Sequence, residues 1–184
     1  LEEGMERLWA PWRLSYITGG ENKPAADDGR HRTGCIFCDK PREDDPANYI
    51  LLRGEACYVI LNAFPYSNGH LMVIPYRHIS APWELTPEEG SEMMALCAYT
   101  TDVLNGVYRP AGYNVGINVG SAAGAGIAAH LHLHVVPRWA GDTNFMPVVG
   151  DVKVLPETLD QTFAKVAAAL AERGAPAPRT GNEL

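Results

Sequence analysis

Ala128-Ala129-His130-Leu131-His132-Leu133-His134-Val135-Val136-Pro137-Arg138-Trp139 is the stretch on which the reading of this chain turns. Three histidines alternate with leucines and run into a valine pair. In an extended strand successive side chains point to opposite faces. His130, His132 and His134 therefore share one face, with roughly 6.6 Å between neighbouring Cα atoms, and Leu131, Leu133 and Val135 share the other. The apolar face anchors in a core, and the imidazole face is free to line a pocket. Such a row admits three explanations. One is a solvated edge strand, against which the alternating Leu and Val residues argue. A second is a metal site, because imidazoles at i and i+2 can chelate. A third is a phosphoryl-transfer strand in which one imidazole is a nucleophile.

The segment just upstream favours phosphate. Asn118-Val119-Gly120-Ser121-Ala122-Ala123-Gly124-Ala125-Gly126-Ile127 feeds a loop of small residues into the histidine row. Without bulky side chains, backbone N–H groups can close on phosphate oxygens. The His130–Val136 segment now resembles the His-x-His-x-His-x-x signature of the histidine triad (HIT) superfamily of nucleotide hydrolases and transferases. Leu61-Asn62-Ala63-Phe64-Pro65-Tyr66-Ser67-Asn68-Gly69-His70-Leu71-Met72-Val73-Ile74-Pro75 is similar to that family's nucleotide-binding strand pair. The resemblance runs from about Cys35 to Trp139. The flanks, Leu8-Trp9-Ala10-Pro11-Trp12-Arg13 and Trp139 to Phe145, look like those of bacterial members that act on diadenosine polyphosphates.

The resemblance implies a role for particular positions. His132 would attack the α-phosphorus, with its other ring nitrogen donating to a backbone carbonyl, and form a nucleotidyl-histidine intermediate. His134, Asn118 and the amides around Gly126 and Ile127 would hold phosphate oxygens. Asn62 would bind the ribose hydroxyls, and Ile36, Phe37, Ile60 and Met72 would enclose the base. One departure bears on the chemistry: many members carry Gln-Ser or Gln-Thr where this chain reads Ala125-Gly126. A hydroxyl contact to phosphate and a polar group near the leaving group are thereby lost.

Cys35-Ile36-Phe37-Cys38 is a second motif, which read alone is a redox pair, half a zinc site or an accident. The resemblance supplies two further zinc ligands, His78 and His130, and a closed four-ligand zinc site is structural rather than catalytic. Cys57 and Cys97 lie in apolar stretches and read as buried thiols. His70 shares the parity of Met72 and Ile74. It is either a partner of the triad or an interior imidazole satisfied by a backbone carbonyl.

The 184 residues suit one domain, and a 46% hydrophobic, 20% charged composition is that of an ordinary globular chain. A formal net charge of −7 argues against general nucleic-acid binding, which needs a basic patch. An anionic nucleotide could still be met locally by Arg77, Arg138, the histidines and amide dipoles. No apolar run is long enough to cross a bilayer and no signal peptide is apparent, so no membrane role is expected. Unpaired cysteines suit a cytoplasmic location.

The expected fold class is α+β: a HIT-like five-stranded antiparallel sheet with two main helices. Strands are expected near 49–53, 56–62, 70–75, 113–119 and 131–137. Helices are expected from Thr86-Pro87-Glu88-Glu89 to about Leu104 and from Pro156 to about Arg173, the latter with Leu159, Phe163, Val166 and Leu170 on one stripe. The domain plan is an N-terminal arm at 1–18, a mobile loop at 19–34, a catalytic domain at 35–173 and a flexible tail at 174–184. The resemblance also implies a homodimer or higher homo-oligomer, with two sheets joined through the central helix.

The leading functional expectation is phosphorolysis of diadenosine tetraphosphate to ADP and ATP, with phosphate as acceptor. Hydrolysis of the same substrate or of adenosine phosphoramidates, with water as acceptor, is the alternative within the class. A non-catalytic nucleotide-binding regulator and a zinc hydrolase ligated by all three histidines are the rivals outside it.

Overall fold

The computed structural model describes residues 33–143, 145, 149 and 154–176. The expected arm at 1–18, nearly all of the loop at 19–34 and the tail from 177 lie outside the described residues. Two apolar pentapeptides form the centre of the fold: Cys57–Leu61 (β2) and Leu71–Pro75 (β3), every residue of which is buried. Continuous apolar strands of this kind are stable only when both faces are covered. Ile50–Arg53 (β1), Gly112–Ile117 (β4) and Leu133–Arg138 (β5) complete a five-stranded antiparallel sheet in the order β1-β2-β3-β5-β4. This is the sheet expected from the sequence.

The two faces are covered differently. Short helices Ile36–Asp39 (α1) and Asp45–Asn48 (α2) precede the sheet, and two long ones, Pro87–Tyr108 (α3) and Leu159–Glu172 (α4), follow β3 and β5. On one face Val59, Leu61, Leu71, Val73, Leu133 and Val135 pack against Met93, Cys97, Val103 and Leu104 of α3 and against Val166 and Leu170 of α4. Each large apolar side chain buried this way contributes about 1.5–3 kcal/mol. On the other face Ile50, Tyr58, Ile60, Met72 and Ile74 lie under Cys35 and Phe37. The Tyr58 hydroxyl donates to the Phe37 carbonyl at 2.8 Å and pins α1 to the sheet.

Both long helices start at capping boxes, which satisfy otherwise orphaned N–H groups. Thr86 and Glu89 close that of α3, behind Pro87 at the first helical position. The helix runs about one turn beyond the expected Leu104, to Tyr108, and stops at Arg109 in the left-handed region. The final helix starts at Leu159 rather than Pro156, because Thr158 and Gln161 cap each other there.

The histidine strand is shorter than expected. Ladder pairing begins only at Leu133, opposite Ile117. Ahead of it the Leu131 N–H donates to Ile79 O at 2.6 Å, outside the sheet. His130 and His132 therefore stand on the approach to β5, and His134 alone of the three lies inside it. Between β2 and β3 the turn closes through Gly69 at φ +75°. A Cβ there would come within 3.1–3.2 Å of Tyr108 and Leu104, so this turn requires glycine. Among the described residues no helix is long and apolar enough to cross a membrane.

Candidate active site

His132 is 5% exposed, and its Nδ1 lies 2.7 Å from the carbonyl oxygen of His130. A carbonyl can only accept, so Nδ1 carries the proton and the lone pair resides on Nε2. Burial lowers the pKa of this imidazole, against a smaller opposing effect of the same hydrogen bond. The ring is therefore neutral near pH 7, as a nucleophile must be. Phe37 lies against it at a centroid distance of 5.2 Å, and the His134 ring is 4.8 Å away.

His134 meets His70, whose Nε2 is 3.0 Å from His134 Nδ1. His70 is 1% exposed. The contact with His134 is the one that its reading as a partner of the triad calls for. Tyr66 covers both rings, at 4.6 Å from His70 and stacked 6.0 Å from His134. Tyr66 was not among the residues expected at the site. The signal was present in its position four residues before His70, across the Gly69 turn.

His130 turns the other way. Its Nδ1 is 3.3 Å from Cys35 Sγ and 3.5 Å from Cys38 Sγ, and His78 Nδ1 is 3.3 Å from Cys38 Sγ. All four ligand atoms lie within 4.8 Å of one another. A tetrahedral zinc with bonds of about 2.3 Å to sulfur and 2.0–2.1 Å to nitrogen has S···N edges of about 3.5 Å. The donor set and spacing thus fit the ion. His130 Nε2 lies 2.9 Å from the Pro75 carbonyl, so its proton sits there and Nδ1 is left as a ligand. Among the described residues this group takes one histidine of the three, His130, and leaves His132 and His134 outside it.

The remaining expected residues fall at varied positions. One step beyond the last paired residues, Ile117 and Leu133, Asn118 and His132 stand at the open end of the β4–β5 ladder. Gly126 is exposed in the turn that leads to His130, whereas Ile127 is half-buried against the Phe37 cluster. Asn62, half-buried, accepts from the Phe64 N–H at 2.9 Å and holds its amide nitrogen 3.4–3.5 Å from the His70 ring nitrogens. Phe37, Ile60 and Met72 are sealed in one cluster, while Ile36 is 49% exposed. Arg77 and Arg138, expected to meet an anion locally, are half-exposed and each already holds a carboxylate. Arg77 is paired with Glu89 at 2.7 Å, and Arg138 with Asp142 at 2.6 Å. Cys57 and Cys97 are buried free thiols, and burial pushes Cys57 up to about 12.

The HIT domain family model matches residues 44–141, just over half the chain. The chain belongs to the HIT domain family. Its relatives include an AP-4-A phosphorylase of Mycobacterium tuberculosis, 41% identical over 160 residues that cover 86% of this chain and 80% of that one. Similarity of that extent makes the protein an enzyme of this family. An adenylylsulfatase, HINT3, of Arabidopsis thaliana is 27% identical, covering 68% of this chain and 66% of its own. Among solved structures, a Zn-bound histidine triad family protein from Mycobacterium smegmatis superposes with a TM-score of 0.59 at 26% identity, over 76% of this chain and 95% of that one. The family match begins after Cys35 and Cys38, so half of the candidate metal centre lies ahead of it.

Proposed function

We propose that this protein cleaves diadenosine tetraphosphate at an α-phosphate through a nucleotidyl-His132 intermediate, with inorganic phosphate as the preferred acceptor. The observation that carries the reading is the hydrogen bond from His132 Nδ1 to the His130 carbonyl, which leaves a buried neutral imidazole with its lone pair on Nε2. The substrate follows from the similarity to the AP-4-A phosphorylase. Nε2 forms a bond to the α-phosphorus as the bridging P–O bond breaks and ATP departs. A phosphate oxygen then attacks the same phosphorus, the N–P bond breaks, and ADP leaves.

In this scheme His132 and His134 are the catalytic residues. His134 donates to a phosphate oxygen, and Asn118 with the amides of Gly126 and Ile127 holds the others. Fixed donors aimed at developing charge are commonly worth about 10²–10³ in rate each. Asn62 takes the ribose. Ile36 and the edges of Phe37 and Met72 meet the base, backed by Ile60. Cys35, Cys38, His78 and His130 would hold zinc, whose contribution is to tie α1 to the approach to β5. The catalytic domain is taken to span 35–173, acting in the cytoplasm as a homodimer or higher homo-oligomer.

Product analysis on diadenosine tetraphosphate, with and without inorganic phosphate, tests the proposal. ADP plus ATP formed only with phosphate supports it. AMP plus ATP makes the protein a hydrolase. No turnover with nucleotide still bound leaves phosphoramidates or a regulatory role, the outcome that Ala125-Gly126 would then explain.

A further inference from the structure

We propose that His70 is a positioning residue that locks His134 into the tautomer protonated on Nε2, through a relay that begins at the backbone amide of Tyr66. The inference deepens the functional reading above and rests on His134 being a donor to phosphate. The relay has a direction because its first member cannot invert. The Tyr66 N–H lies 3.0 Å from His70 Nδ1, and an amide nitrogen only donates. His70 Nδ1 is therefore unprotonated, and the neutral ring carries its proton on Nε2. That nitrogen is 3.0 Å from His134 Nδ1. It donates there, so His134 Nδ1 is an acceptor and the His134 proton sits on Nε2.

A backbone acceptor and a backbone donor thus set two neighbouring imidazoles in opposite tautomers. The His130 carbonyl protonates His132 on Nδ1 and frees its Nε2 lone pair. The Tyr66 amide, acting through His70, leaves His134 with an Nε2–H. Without the relay, His134 could present a lone pair to a phosphate oxygen, which repels where a donor attracts. The site is built to keep the relay dry and ordered. His70 is 1% exposed, and the Tyr66 ring covers it at 4.6 Å. Asn62 holds the loop by accepting from the Phe64 N–H. Gly69 closes the turn that delivers His70.

The test is long-range 15N–1H correlation on the labelled full chain, above the titration range of its histidines. His134 should show a protonated Nε2 and a bare Nδ1, and His70→Leu should abolish that preference. His134 protonated on Nδ1 in the wild type, or an unchanged tautomer in His70→Leu, overturns the proposal. In turnover, His70→Leu should lower kcat about 10²-fold with KM changed by less than about threefold. His70→Gln keeps a donor near the position of Nε2 and should recover roughly a factor of ten. Equal losses in the two variants also overturn it. The wild-type spectrum decides even where His70→Leu fails to fold. Because the spectrum needs no substrate, failure of the diadenosine tetraphosphate reading and failure of this relay are seen separately.

Discussion

His130 and His134 look interchangeable in the sequence: each sits two residues from His132, on the same parity, flanked by an apolar neighbour. In the structure they face opposite chemistries. His130 has its proton against the Pro75 carbonyl and turns Nδ1 to two thiols. His134 turns Nδ1 to another imidazole. On the function proposed above, the first would give electrons to a metal and the second a hydrogen bond to an anion. The difference teaches that a histidine's role is assigned by whatever occupies its second nitrogen. Here those occupants come from segments 55 and 64 residues away.

The residue between the two ends carries the largest expected effect. His132→Asn should reduce turnover by about 10⁴-fold or more while nucleotide binding persists in calorimetry. Turnover within tenfold of wild type would end the nucleophile reading. The metal end comes next. If zinc is held at a thousandfold excess over its Kd, its removal by chelator costs about 4 kcal/mol and lowers Tm by about 10 °C. Cys35→Ser should lower zinc content and Tm in the same direction, and full occupancy in that variant would refute the ligand set.

Two smaller changes sharpen the contrast by touching one end only. Gly69→Ala introduces a Cβ at φ +75° beside Tyr108 and Leu104. It should cost about 2 kcal/mol and disturb the His70–His134 end with zinc content unchanged. Tyr58→Phe removes the 2.8 Å bond to the Phe37 carbonyl. It should cost about 1 kcal/mol and weaken zinc retention more than kcat. If Gly69→Ala depleted zinc, or Tyr58→Phe left zinc retention untouched, the two ends would not be the separate units described here.

Much of the fold was legible because its signals are local. Cys57–Leu61 and Leu71–Pro75 announce buried strands by composition, and Thr86-Pro87-Glu88-Glu89 announces a helix start by its own side chains. Boundaries slipped where a partner outside the segment intervened. β5 begins late because Leu131 bonds to Ile79 rather than to the sheet. α4 begins late because Thr158, not a residue nearer Pro156, closes the capping box. At the site, the histidine row and the cysteine pair could be read directly, whereas His78 came only with the resemblance. The engagement of Arg77 by Glu89 and of Arg138 by Asp142 could not be read, since a charge count says nothing of pairing.

The amino-acid sequence by itself determined the parity of the imidazole row, the small-residue loop that enters it and the cysteine pair able to take a metal. These depend only on the period of a strand and the chemistry of side chains. Tertiary structure alone decided which nitrogen of each ring holds its proton. The deciding atoms are the carbonyls of Pro75 and His130 and the amide of Tyr66. Every residue but proline carries such a carbonyl and such an amide. Only the folded positions of these three set them against the histidine rings.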